Sequence, residues 1–118
     1  MGPKKIKIAI PTQEKGGLSD IVANVFARAA TFTIIDIQNL TITNIDVIKN
    51  PAISYKHGAG PIVAKTLIDC GVTFVLVTEF GPGVSTILDQ HNVERINIES
   101  GCSVSEIIKM FILNFQNC

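Results

Sequence analysis

Two side chains in this sequence carry metal-ligand chemistry beside glycine-marked turns. His57 stands immediately before Gly58-Ala59-Gly60-Pro61, and Cys102 lies one residue ahead of Ser103. An imidazole ligates metals or contacts anions. A thiol at a helix entry sits in a field that favours the thiolate, the form that binds metal. Each also has a plainer reading, as a loop histidine capping a glycine turn and as a small residue filling one. Arg28 supplies a cation for a cluster or a phosphate, or else one half of an exposed ion pair. Glu79 reads as a helix N-terminal acid before it reads as a ligand. Cys70, at a helix end, is expected in the core, His91 in solvent, and Cys118 at a loose chain end.

Other signatures of chemistry are missing. Three cysteines make an odd count with no C-x-x-C spacing, which argues against a secreted disulfide framework and a self-contained zinc or iron–sulfur site. Neither G-x-G-x-x-G nor G-x-x-x-x-G-K-[ST] occurs, so a phosphate would have to be held some other way.

The elements that position these residues follow from punctuation and periodicity. Ile6 to Ile10 is an apolar run ended by Pro11 and reads as a strand, with a polar loop from Thr12 to Gly17. The apolar positions between Leu18 and Ala30 suggest a short helix around Ile21 to Ala27. Phe32 to Ile37 and Thr41 to Ile48 form a hairpin closed by Asn50-Pro51. Ile62 to Cys70 is helical, with Pro61 in its first turn and Gly71 as its stop. Val72 to Thr78 is a strand buried on both faces. A helix follows from Gly81-Pro82-Gly83 through Gln90, then a strand from Val93 to Ile98. A last helix opens on the Ser103…Glu106 capping box.

Alternating β and α in the second half implies parallel strands joined by right-handed crossovers. In such a sheet every strand-to-helix turn lies at the carboxyl edge, where ligands bind. Pro11, Thr12 and the loop to Gly17 should meet there with Glu79 to Gly83 and Ser100 to Ser103. His57 to Pro61 joins them if the third strand runs parallel to the first. Helix N-termini expose unpaired N–H groups and favour anions, and glycine lets a ligand approach the backbone. The candidate contacts are Pro11, Thr12, Arg28, His57, Gly58, Ala59, Gly60, Gly81 and Gly83, with His57 and Cys102 as metal ligands.

Composition bounds the partners. The 118 residues fit one domain spanning 1–118, and 47% hydrophobic content supports a core without staples. Ten basic and ten acidic residues cancel, and the basic cluster Lys4, Lys5 and Lys7 reads as a solvated entry to the first strand rather than a phosphate footprint, so no nucleic-acid partner is expected. No run approaches the roughly 18 apolar residues of a membrane span. A cytoplasmic location is expected.

At Phe26-Ala27-Arg28-Ala29, His57-Gly58-Ala59-Gly60-Pro61 and Gly81-Pro82-Gly83 the sequence resembles the dinitrogenase iron–molybdenum cofactor biosynthesis family, small accessory proteins linked to nitrogenase cofactor assembly. Ile-Ala-Ile-Pro-Thr at the start and Phe-Thr-Ile-Ile-Asp in the second strand extend the resemblance from Ile6 to about Phe111. It implies a three-layer α/β/α fold of ribonuclease H-like type, a mixed five-stranded sheet of order 3-2-1-4-5 with strand 2 antiparallel. It also implies non-catalytic binding or carriage of an iron–sulfur or iron–molybdenum cluster, with cluster donor and acceptor proteins as partners. One departure stands out. Members often carry a His where this chain has Val25, and a Gly where it has Ala27, so a potential metal ligand is missing.

Two other functions compete with a carrier. An enzyme or binding protein for a small phosphate-containing ligand would use the same amides, but metal-dependent phosphoryl chemistry needs clustered carboxylates. The nearest are Asp36, Glu79 and Glu99, with Asp36 expected at the opposite edge. A protein-interaction module would need the glycines only as turns. A monomer, or a weak homodimer through the Thr41 to Ile48 edge, fits either.

Overall fold

The computed structural model describes residues 5–55, 57–78, 82–99 and 101–116. In chain order the elements are β1 (Lys5–Thr12), a 3-10 turn (Phe26–Arg28), β2 (Thr31–Gln38), β3 (Thr41–Lys49), α1 (Ala59–Asp69), β4 (Phe74–Val77), α2 (Pro82–Gln90), β5 (Glu94–Asn97) and α3 (Val104–Gln116). The sheet order is β3-β2-β1-β4-β5. β2 is antiparallel to both β1 and β3, and β4 is parallel to β1 and β5. β3 therefore runs parallel to β1, and four strands deliver their carboxyl ends to one edge, as expected from the sequence.

Side-chain alternation along the strands separates two cores. Ala9, Phe32, Ile34, Val75 and Val77 face one way and pack with Phe26, with Val63 and Leu67 of α1, and with Val84 and Leu88 of α2. Ile8, Ile10, Ile35, Ile37 and Leu76 face the other way, onto Val104, Ile107, Ile108 and Phe111 of α3. The result is three layers, helices on both faces of the sheet. Phe111 meets Phe74 edge-on at 5.4 Å between ring centres, fixing α3 against β4. Among the described residues no helix is long and apolar enough to cross a membrane.

The punctuation residues act largely as expected. Gly71 has φ +86° and donates to Ile68 O, while Val72 donates to Leu67 O, the paired bonds of a Schellman stop. Glu106 donates its amide to Ser103 Oγ at 3.3 Å, one half of the capping box. α1 begins earlier than periodicity suggested, at Ala59, with Pro61 still inside its first turn where its missing N–H costs nothing.

The β2–β3 turn places Asn39 at φ +53° and Leu40 at φ +67°. Both residues of such a two-residue hairpin turn need positive φ, which asparagine tolerates and leucine does not. A left-handed leucine costs roughly 1–2 kcal/mol, partly offset in any glycine variant by a more flexible unfolded chain. Leu40→Gly should therefore raise stability by up to about 1 kcal/mol in urea unfolding. Leu40 is also an exposed hydrophobic, so little packing is lost.

Two expectations fail. Residues 21–27 form no α-helix. Val22 bridges back to Thr12 and Ile21 to Ser103. Gln13 N donates to Ile21 O, Val22 N to Cys102 O and Ala23 N to Pro11 O, at 3.0, 3.0 and 2.9 Å. Those bonds use the backbone groups a helix would have paired internally, and no cap compensates; only the 3-10 turn at Phe26–Arg28 survives. Cys70 is exposed rather than buried. It sits past Leu67, the last buried residue of α1, where the helix has turned its flank to solvent.

Candidate functional site

The rim at the carboxyl edge is built from four strand exits, and they differ in whether their amides are already used. At the β1 exit Glu14 and Gly16 donate to Asp20 Oδ2 at 2.9 and 2.7 Å. Gly17 donates to Thr33 Oγ1 at 3.0 Å. Pro11 and Thr12, both candidate contacts, are buried strand residues. Thr12 Oγ1 meets the hydroxyls of Thr31 and Thr33, and Thr31 Oγ1 donates to Glu14 O at 2.9 Å. One proton arrangement satisfies every hydroxyl once as donor and once as acceptor. Gly17 N–H donates to Thr33, Thr33 to Thr12, Thr12 to Thr31, and Thr31 to Glu14 O. Such a one-way chain of dipoles is mutually reinforcing and holds the loop to the sheet.

The β5 exit is closed as well. Val104 N donates to Asp20 O at 2.9 Å and Ser105 N to Leu18 O at 3.0 Å. With Glu106 on Ser103 Oγ, the first-turn amides of α3 have protein acceptors. Cys102 is half-buried and packs against the core beneath α3, and its carbonyl accepts Val22 N.

The β3 exit is different. Gly58, the N-cap of α1, is left-handed at φ +73° and provides no side-chain cap. Among the described residues no acceptor takes the N–H of Gly58, Ala59 or Gly60. These donors carry the partial positive charge of an 11-residue helix. Gly60 is fixed by packing as well. A Cβ there would lie 2.7 Å from Val84 Cγ2, so the glycine lets α1 and α2 approach. His57 is exposed one residue before the cap. Arg28 reaches the same corner, donating from Nη1 to Tyr55 O at 2.7 Å.

Asn50 joins this corner to the turn that carries Arg28. It is 5% exposed, and its Nδ2 donates to Ala27 O and Ala29 O at 3.0 and 2.8 Å while Oδ1 accepts Ala52 N at 2.8 Å. Sequence reasoning saw Asn50 only as a hairpin stop. An asparagine just before a proline, at a strand exit, was the available signal.

The structure thus brings His57, Gly58, Ala59, Gly60 and Arg28 to one corner. Cys102 belongs to the turn serving the opposite layer. Gly83 is exposed in the first turn of α2, whereas Gly81 and Glu79 lie outside the described residues, as does Cys118. Among the described residues no three His, Cys, Asp or Glu side chains gather. A cluster held by a full set of protein ligands does not fit that inventory; an anionic cluster held by amides, one cation and a single imidazole does. Asp36 lies away from the rim and pairs with Lys7 at 3.7 Å.

Comparison with known proteins agrees with the fold. The orange protein of Desulfovibrio gigas, solved in its apo form, superposes with a TM-score of 0.80 at 29% identity, covering 93% of this chain and 88% of that one. A Thermotoga protein provisionally assigned as a NifB protein superposes with a TM-score of 0.74 at 32% identity, over 90% and 86% of the two chains. An uncharacterized protein of Methanocaldococcus jannaschii is 28% identical over 109 residues, 92% of this chain and 87% of its own. Residues 4–114 match the family described as "Dinitrogenase iron-molybdenum cofactor". With that match spanning nearly the whole sequence, and with the same fold in the two solved structures, the chain belongs to the dinitrogenase iron–molybdenum cofactor family.

Proposed function

We propose that this protein is a non-catalytic carrier that receives an anionic metal–sulfur cluster, or a precursor of one, at the N-terminus of α1 and passes it to another protein. The observation that carries this reading is the contrast along the rim. The first-turn amides of α1 lack acceptors among the described residues, while those at the β1 and β5 exits have them. His57 would ligate the cargo, the amides of Ala59 and Gly60 would face its negative charge, and Arg28 would add a cation. Family membership supports a cofactor-related cargo. Exposed Val25, Ile53 and Tyr55 lie on the two segments that Asn50 and Arg28 stitch together, an apolar border suited to a protein donor or acceptor.

Anaerobic titration with a reconstituted iron–sulfur species, followed by absorption, should saturate at one equivalent. His57→Ala should weaken binding by at least about tenfold, the loss of one ligand or charge-assisted contact, while Cys102→Ala should not. Loss in Cys102→Ala alone would move the cargo to the β5 exit and contradict the assignment to α1. The same amides favour phosphate groups, so a nucleotide series is the control. A bound nucleotide at about 100 times its dissociation constant would raise stability by roughly 2.7 kcal/mol.

A further inference from the structure

The loop leaving β1 has the form of an anion cradle, and the chain fills it with its own carboxylate. Three backbone donors converge on Asp20: Glu14 and Gly16 on Oδ2, and Ile21 on Oδ1 at 2.7 Å. Gly16, at φ +81°, gives the loop a turn that side-chain-bearing residues resist and aims its own amide at the carboxylate, while Gly17, at φ +91°, sends its amide to Thr33 Oγ1. Asp20 is half-buried, and among the described residues no cation pairs with it. Its carbonyl accepts Val104 N, the first amide of α3. One residue therefore ties the β1 loop to the start of a helix in another layer.

We propose that Asp20 is a built-in anion that occupies the β1 cradle, excludes external anions from that part of the rim and pins the loop to the segment on which α3 begins. The cradle is a latent site for a small monocarboxylate, revealed when the side chain is removed. This holds whatever α1 binds, because it concerns donors at a different strand exit.

Chemical rescue tests it directly. Asp20→Ala should melt about 10 °C below the unmodified protein, the scale expected for losing several charge-assisted hydrogen bonds. Formate should recover at least half of that loss saturably, and chloride at equal ionic strength should not. Amide resonances of Glu14, Gly16 and Ile21 should move along one binding curve. In the unmodified protein formate should move none of them. The proposal is overturned if Asp20→Ala melts with the unmodified protein, or if formate and chloride act alike and those amides stay still. Should Asp20→Ala fail to fold, Asp20→Asn decides instead. It keeps a neutral acceptor for part of the cradle and should fold but melt below the unmodified protein, with shifted Glu14 and Gly16 amides. Identity with the unmodified protein in both respects would overturn the proposal.

Discussion

Replacing Asn50 with alanine lowers the stability of the fold by about 3 kcal/mol, a melting shift on the order of 10 °C. The side chain makes three hydrogen bonds from a position 5% exposed, two donated and one accepted. Alanine leaves two carbonyls and one amide without partners where water has poor access. Such orphaned groups cost about 1–3 kcal/mol each, reduced where the loop relaxes to admit water. Asn50→Asp separates donors from acceptor: it keeps Oδ1 for Ala52 N but directs a second oxygen at the Ala27 and Ala29 carbonyls. It should be at least as unstable as Asn50→Ala by urea unfolding. Both variants also loosen the turn holding Arg28 against Tyr55 O, so affinity for the proposed cargo should fall along with stability.

Gly16→Ala is the second large effect, again about 3 kcal/mol, from two separable causes. The backbone sits at φ +81°, where a Cβ costs roughly 1–2 kcal/mol. That Cβ would also lie 2.6 Å from Val47 Cγ1, 2.8 Å from Val47 Cγ2 and 3.0 Å from Thr33 Oγ1. Val47→Ala removes the first two contacts without touching φ. In a double-mutant cycle Val47→Ala should therefore recover about 1 kcal/mol of the Gly16→Ala loss and leave the rest. Full recovery would mean the backbone carries no strain. Gly17, also at positive φ but with open space around its Cβ position, should show only the backbone part.

Much of the fold was legible because local signals agreed with the tertiary arrangement. Pro61, Gly71 and Ser103 with Glu106 each mark a helix boundary where the structure has one. The hairpin followed by alternating β and α left few sheet orders to consider. The segment after Leu18 was not legible, since Ile21, Val22 and Ala23 suit a helix and an extended strap equally well. Their actual partners are Pro11, Thr12, Cys102 and Ser103, and no local pattern reports contacts 80 residues apart.

For the site, the sequence indicated where the strand exits gather but not which amides remain available. That depended on Asp20, which follows two glycines at an interval suited to folding back on them, and on the threonine chain from Thr33 to Glu14. The Asp20 bonds form within residues 14–21, whereas the threonine chain forms only when the loop closes on β2. The same closure took Pro11 and Thr12 into the interior of the sheet.

The contrast among the described residues between the open exit at α1 and the closed exits after β1 and β5 can be mapped residue by residue with amide NMR. Tetrathiomolybdate is a suitable anaerobic probe, being a diamagnetic molybdenum–sulfur anion that leaves nearby resonances visible. The expected result is saturable movement of the Gly58, Ala59 and Gly60 amides, with Glu14, Gly16, Val104 and Ser105 unmoved. Movement of the second set with the first unchanged would place the anion at the exits that Asp20 and Leu18 close, and would contradict the assignment to α1.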